Sequence, residues 1–408
     1  MTTLTIVIVC DTAHVDGGAS QVAISSALGL AESGVRVFFI AGVAPIDPRL
    51  NSSDIKVICL NQSTIADPEE RLHAAFTALW NFKAQCTLTG LLTKLNRKNT
   101  VIHIHTWTKS LSSSVLKAAS DAGFTVILTL HDYFLACPNG GFYDYQSETI
   151  CTRKPLSTSC LVTHCDSRSY VHKTWRVLRQ IIQIHLGGLP GGIKAFITVS
   201  DFSRRVLLPY LPASARIVHI PNPIECAEGP PADPGNTSTF VFVGRLSPEK
   251  GIHLLAQAAK LTLIPVTLIG NGPAFETLQK NNPLLRLTGW VQREEVNRLL
   301  NGARCLVFPS VWYETQGLVV SEAAARGIPA IVSDACAARD LIVHKETGLL
   351  FRSGSVKDLA ACMRHMQDRN FARKLGAAAY RKFWSQPPRL KQHIADLLKI
   401  YAGVLVEK

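Results

Sequence analysis

The chain has 408 residues, 47% of them hydrophobic and 18% charged. That balance excludes a disordered or collagen-like polymer and leaves room for two or three domains with cores of their own. Lys and Arg number 43 against 30 Asp and Glu, a net charge of +13 at pH 7 that favours an anionic partner: nucleic acid, a membrane surface or a substrate.

No zinc-finger, homeodomain or RNP pattern accompanies the charge, which argues against dedicated nucleic-acid binding. No apolar run reaches the ~18–20 residues of a spanning helix. The opening TTLTIVIVC lacks a basic flank and a small-residue cleavage site, so it reads as a strand over Leu4–Val9, closed by Asp11, and not as a signal peptide. Gly17-Gly18 and a helix over Ser20–Glu32 follow. Next come strands over Val35–Ile40 and Ile55–Leu60, a helix over Leu72–Leu95, and strands over Val101–His105 and Val126–Leu130. Residues 138–165 break this rhythm with aromatic, Gly and Cys content, a long irregular insertion of the kind that usually carries function. The Arg-rich segment 168–188 is expected to be helical, and Ala195–Val199 to close the first strand series.

After the Pro- and Gly-rich linker 228–238, strands over Thr239–Val243, Val266–Ile269, Leu284–Leu287, Cys305–Phe308 and Ala330–Val332 alternate with helices over 251–260, 274–280, 293–301 and 317–326. A helix-forming tail begins near 385. Such alternation predicts α/β architecture from right-handed βαβ units, with the cleft between two units as the default active site. The expected spans are 1–205, carrying the Cys-containing insertion 137–165, then 206–384, then a terminal helix in 385–408 that crosses back to the first unit.

Four stretches carry chemistry. Gly17-Gly18, between a strand and a helix, permits backbone N–H groups to face a ligand at the helix start, or is a plain glycine turn; it is not a dinucleotide fingerprint. GRLSPEKG (244–251) puts Arg245 and Lys250 on a short loop opening a helix, where two cations and free N–H groups could hold a diphosphate; a solvated loop is the plain alternative. PSVWYETQGLVVSEAAARGIPAIVSD (309–334) places Glu314 before a strand-to-helix turn and Glu322 about one and a half turns into the helix. Two carboxylates so placed can grip different parts of one elongated, hydroxyl-rich ligand, which is not the paired geometry of a glycoside hydrolase. Finally, Cys137, Cys151, Cys160 and Cys165 are spaced C-x13-C-x8-C-x4-C in the insertion. They read as a structural Zn²⁺ site, as buried free thiols or as a disulfide; the remaining cysteines are scattered in apolar contexts and point to a reducing compartment.

Taken together, Gly244-Arg245-Leu246, Glu249-Lys250-Gly251, Gly270-Asn271-Gly272, Gly289-Trp290, Phe308-Pro309-Ser310, Glu314 through Glu322, Gly327 to Ser333 and Thr347-Gly348-Leu349-Leu350 resemble the retaining, nucleotide-sugar-dependent glycosyltransferases of the GT-B type, group 4 (glycosyl transferases group 1). The resemblance implies two Rossmann-like α/β domains facing across a cleft, the first acceptor-side and the second binding the nucleotide-sugar. It implies that Arg245 and Lys250 bind the donor diphosphate and that Glu322 accepts hydrogen bonds from the ribose. Glu314 would contact the transferred sugar, and Gly244, Gln316, Gly317 and Leu318 would line sugar and phosphate. Gly18 would let the first loop approach the diphosphate, and His131 would reach the sugar from the acceptor domain. No divalent metal is implied for the diphosphate. Where many relatives have Gly-Gly and a carboxylate, this chain has Cys336-Ala337-Ala338-Arg339-Asp340, with Asp340 standing for the longer Glu. The insertion resembles that of bacterial polysaccharide-type members with an HDY…CP start, and is expected to shape the acceptor site.

The implied partners are a nucleotide-sugar and a glycan or glycolipid acceptor. The basic stripe 168–205 is either a solvated helix or a contact for an anionic membrane. The implied location is the cytoplasm, at the inner face of the cell membrane. The rival is a non-catalytic carbohydrate- or nucleotide-binding module on the same fold; intact Arg245, Lys250, Glu314 and Glu322 argue against it.

Overall fold

The computed structural model describes residues 4–51, 54–63 and 70–406; the ends of the expected spans at 1–3 and 407–408 lie outside them. Short β-branched runs, buried on both faces, make the first sheet. Its strands are β1 (Thr5–Thr12), β2 (Arg36–Val43), β3 (Ile55–Cys59), β4 (Thr100–Ile104) and β5 (Thr125–Leu130). A two-stranded antiparallel hairpin, β6 (Tyr143–Asp144) and β7 (Thr149–Ile150), stands apart in the insertion, and β8 (Ala195–Thr198) and β9 (Arg216–His219) complete the sheet. All seven strands run parallel in the order β3-β2-β1-β4-β5-β8-β9. Ala195–Val199 therefore does not close the series: β9, with its half-buried Arg-Ile-Val-His face, extends the first sheet past residue 205.

The second sheet comprises β10 (Phe240–Val243), β11 (Val266–Ile269), β12 (Leu285–Gly289), β13 (Cys305–Phe308), β14 (Ala330–Ser333) and β15 (Gly348–Phe351), again all parallel, in the order β12-β11-β10-β13-β14-β15. Both sheets reverse strand order beside their first strand, so loops leaving the carboxyl ends of β1 and β4, and of β10 and β13, open a crevice at each switch point. The helix expected over Leu72–Leu95 is two, Arg71–Leu79 and Phe82–Leu92. The break is made by Asn81, whose side chain accepts from the Ala84 N–H at 2.9 Å and caps the second helix.

The chain crosses between units twice. Residues 221–225 lead out and residues 386–390 lead back, and the crossings are pinned together where the Ile224 N–H donates to the Pro388 carbonyl at 2.9 Å. The terminal helix Leu390–Val406 then buries Ile394, Leu397, Ile400 and Tyr401 against the first unit. Each such side chain contributes about 1.5–3 kcal/mol by leaving water. The approach is close: a Cβ on Gly29 of the helix Gly18–Glu32 would lie 2.7 Å from Ile394. His103 Nδ1 lies 2.6 Å from the Tyr401 hydroxyl and its Nε2 2.7 Å from Thr129 Oγ1, so this histidine is spent on fastening the tail.

Candidate active site

Glycines bring the loops of the second unit together. Gly251 (φ 68°) follows the single 3₁₀ turn Pro248–Lys250, and a Cβ there would lie 1.9 Å from the Pro309 carbonyl oxygen. Only glycine combines that left-handed backbone with so close an approach. The loop after β10 is thereby pressed against the loop after β13, and Lys250 Nζ donates to Glu314 Oε1, which also accepts from Ser310 Oγ at 3.2 Å. The lysine ammonium lies 5.2 Å from the centre of the Trp312 ring. Gly317 (φ 96°) caps the helix Leu318–Ala325, and its bare Cα faces Ala338, where a Cβ would approach to 2.7 Å. The Ala337 N–H donates to the Glu314 carbonyl at 3.1 Å, so 336–338 backs the Glu314–Gly317 loop.

Gly244 continues that frame: its N–H donates to Ile269 O at 3.0 Å, and Leu246 N–H donates to Asn271 O at 2.9 Å. Arg245, between them, is exposed and has no side-chain partner among the described residues. Glu322 is half-buried, and among the described residues its carboxylate pairs only with a distant cation, Arg293 at 3.9 Å, leaving acceptor capacity. Gln316 is buried and its Oε1 has no partner among the described residues.

The first unit meets these loops directly. A Cβ on Gly18 would lie 3.1 Å from Leu318 Cδ1, and Thr315 Oγ1 donates to the His131 carbonyl at 2.9 Å. His131 Nε2 lies 2.9 Å from His105 Nδ1; burial holds His131 down at about 3 and His105 well below the ordinary histidine range, so both rings are neutral. Next to them, burial pushes the Asp132 carboxyl up to about 6. The structure thus brings Gly18, His131, Gly244, Arg245, Lys250, Glu314, Gln316, Gly317, Leu318 and Glu322 to the facing mouths of the two sheets. Asp340, expected as a stand-in at the sugar end, is exposed and pairs instead with Arg205 of the first unit at 3.4 Å.

Of the three readings of the insertion cysteines, the structure does not have the disulfide. All are free, and among the described residues no group of three or more His, Cys, Asp or Glu is placed to hold a metal ion. Cys160 and Cys165 face a cation: Lys173, 1% exposed, donates to Cys160 Sγ at 3.5 Å. Cys165 Sγ also accepts from Asn139 Nδ2 at 3.2 Å, while Cys151 meets Arg153 at 3.6 Å. Burial raises the Cys137 and Cys165 thiols above the ordinary range.

Sequence reasoning missed Trp312, Tyr313 and Thr315 as contact residues, although all lie inside the 309–334 stretch; each has a partner in the other unit, Gly141, Tyr133 and His131 in turn.

Residues 228–382 match the family described as "Glycosyl transferases group 1". Residues 16–228, just over half the chain, match "Glycosyltransferase Family 4". The chain belongs to glycosyltransferase family 4. It is 33% identical over 164 residues to a sulfoquinovosyl transferase of Arabidopsis thaliana, covering 38% of this chain and 31% of that protein. It is 30% identical over 135 residues to an Escherichia coli UDP-Gal:alpha-D-GlcNAc-diphosphoundecaprenol alpha-1,3-galactosyltransferase, covering 30% and 34%. The matched stretches span about a third of the length of these relatives. Anabaena HepE, solved in complex with UDP, superposes with a TM-score of 0.65 at 17% identity, covering 98% of this chain and all of that one, which shows the GT-B fold.

Proposed function

We propose that the chain is a retaining glycosyltransferase that moves a hexose-type sugar from a nucleoside-diphosphate sugar to a glycan or lipid-linked glycan in bacterial surface polysaccharide synthesis. The observation that carries this reading is the Lys250–Glu314 contact on the same loops as the exposed Arg245, which has no hydrogen-bond or ion-pair partner among the described residues; these glycine-framed loops face Gly18 and His131. Breaking a glycosyl–phosphate bond concentrates negative charge on the departing diphosphate, and prepositioned cations lower that barrier. Arg245 offers a planar fork to phosphate oxygens and Lys250 a compact charge. As the diphosphate engages Lys250, Glu314 is released to accept from sugar hydroxyls, while Glu322 accepts from the ribose and the Gln316 Oε1 from a further hydroxyl. Glu314, which accepts from Ser310 at 3.2 Å and in this reading from the sugar hydroxyls, then serves as a hydrogen-bond acceptor and not as a nucleophile. Retention then follows from front-face attack: the acceptor oxygen bonds to the anomeric carbon as the glycosyl–phosphate bond breaks, and the departing phosphate oxygen takes the acceptor proton.

The lipid-linked acceptor and a place at the inner face of the cell membrane rest on the first unit's surface. No helix among the described residues is long and apolar enough to cross a membrane. The helix Arg71–Leu79 exposes Leu72 and Phe76, with Phe82 just beyond, and it touches the Arg-rich helix Tyr170–His185, which exposes Val171, Leu178 and Ile181. The basic side chains of the second helix do not join this surface, since Lys173 and Arg179 are buried and Arg176 pairs with Asp166 at 2.8 Å, so the expected basic stripe is not displayed there and the interfacial contact rests on the exposed apolar side chains. The name of the Escherichia coli relative, whose acceptor is a diphosphate-linked lipid, supports the same acceptor class.

The test is calorimetry and thermal shift with UDP, GDP, ADP and dTDP and their sugar conjugates. One nucleotide should bind the wild type and lose at least about 100-fold in affinity in Arg245→Ala/Lys250→Ala, roughly 3 kcal/mol. Binding of none by the folded protein would overturn the reading in favour of the non-catalytic module.

A further inference from the structure

The two units exchange aromatic side chains across the cleft. Tyr143, on the insertion hairpin of the first unit, is 1% exposed and lies in the core of the second, with Leu246, Ile252 and Val311. Tyr313, from the second unit, packs on the core of the first: its ring lies 6.3 Å from those of Tyr133 and Phe142 and 5.4 Å from that of Phe202. Trp312, next to Tyr313 in the chain, packs on the same core cluster of the second unit that takes in Tyr143. One face of its ring is met by the backbone of Gly141, where a Cβ would lie 2.8 Å from Cε3 and 2.9 Å from Cζ3. The Lys250 ammonium lies 5.2 Å from the same ring. On the outer rim Glu148 of the hairpin reaches His253 at 3.6 Å.

Lys250 has a flexible stem, and its direction depends on what it packs against. Units joined only by two crossings also move by default. Here the insertion removes both freedoms at once. We propose that the insertion hairpin is a positioning element for the donor site: Gly141 and Tyr143 hold Trp312, and Trp312 sets the Lys250 ammonium against Glu314. Gly141, Tyr143 and Trp312 are positioning residues; they need touch no substrate. The proposal rests on the reading of Lys250 as a diphosphate ligand.

Gly141→Ala tests it, because the backbone at this glycine is compatible with any side chain and the added methyl meets only the Trp312 ring and, at 3.9 Å, Tyr143 Cβ. Hydrogen exchange on the ligand-free protein should rise about tenfold in 244–251 and 309–317 and stay unchanged in 390–406. The dissociation constant of whichever of UDP, GDP, ADP or dTDP the wild type binds should rise about tenfold. In a Trp312→Phe background, where the smaller ring clears the methyl, Gly141→Ala should have less than half that effect on exchange. If Gly141→Ala does not fold, Tyr143→Leu should reproduce the exchange change and Tyr143→Phe should not, since the Tyr143 hydroxyl has no partner among the described residues. Unchanged exchange in 244–251 in the folded variants would overturn the proposal. Nucleotide binding by none of the four, with exchange altered as expected, would sink the functional reading and leave the mechanical coupling standing.

Discussion

On the second unit the cleft is lined by charge that is left in part uncompensated: among the described residues Arg245 is exposed with no hydrogen-bond or ion-pair partner, and Glu322 pairs with Arg293 at 3.9 Å. On the first unit it is met by groups that burial shifts towards their neutral forms: His131 is held at about 3, and the Asp132 carboxyl is pushed up to about 6. In the proposed reaction one face meets a polyanion whose charge grows, while the other presents a neutral ring and a carboxyl that takes up its proton at higher pH than usual. Changes on the donor face should therefore strike chemistry without unfolding the protein, whereas changes on the other face should strike stability first.

The largest effect is expected from Glu314→Gln. The amide keeps the shape but gives up the charge that pairs with Lys250, so sugar transfer should fall about 10²–10³-fold. The melting temperature should move by less than about 2 °C, as the Lys250–Glu314 pair lies at the cleft and not in a core. Single-turnover transfer and a melting scan on one preparation check both halves. A loss of stability matching the loss of rate would erase the contrast between the two faces.

Acid should expose the other side of the contrast. His103 and His131 titrate at about 3 in the folded chain against an ordinary 6.5, because burial penalises the charged ring. Below pH 6.5 the unfolded chain binds protons that the folded one does not, so stability is complete above that pH and is lost on descent towards about 3. Each histidine contributes roughly 1 kcal/mol per pH unit. Asp132 has the opposite sign: with its carboxyl raised to about 6, the folded chain takes up a proton first as pH falls from 6 towards 4 and recovers part of the loss. Urea midpoints at pH 7, 6 and 5 should fall with decreasing pH, more steeply in Asp132→Asn than in the wild type. A flat profile would mean that these rings are not held neutral.

The sequence exposed the two faces unequally, for a physical reason. β11 and β13 fall at the expected Val266–Ile269 and Cys305–Phe308, and the helix Arg293–Asn301 at 293–301, because each is a local pattern between turn residues. Gly251 and Gly317 stand inside the recognisable motifs, but a left-handed backbone alone does not single them out, since Lys345 (φ 66°) and Leu263 (φ 57°) share it; their close approaches to Pro309 and Ala338 do. What escaped depends on partners far away in the chain. β9 is half-exposed and unremarkable in composition; only pairing with β8 makes it a strand. The break at Trp80-Asn81 is enforced by Ser112, whose Oγ accepts the Asn81 N–H at 2.9 Å. Trp312 stood in plain view, but its role comes from Gly141 and Lys250 together.

A smaller effect should come from the tail. Gly29→Ala places a methyl 2.7 Å from Ile394, and a packed helix pair can relieve such a contact only by shifting. A loss of about 1–3 kcal/mol is expected, measured by urea unfolding, with nucleotide affinity unchanged. The compensating Gly29→Ala/Ile394→Val chain should regain part of it. An unaltered midpoint in Gly29→Ala would show that the tail is seated less closely than its contacts indicate.

The smallest effect concerns Lys173. Its ammonium is buried and meets sulfur where a carboxylate would be expected: Cys160 Sγ lies 3.5 Å away and Cys165 is its other near neighbour. An isolated buried cation is costly to desolvate, and an apolar chain of similar length fits the same space. Lys173→Met should thus leave stability within about 1 kcal/mol of the wild type, or raise it. Removing the cation also removes what favours a thiolate at Cys165, on top of the burial that already raises that thiol. Native-state alkylation of Cys165 by iodoacetamide should therefore slow, since the thiolate is the reacting form. A variant that is strongly destabilised, or whose Cys165 reacts faster, would mean that the lysine braces the insertion and shields its thiols, and the first unit would then contain a buried charge on which its fold depends.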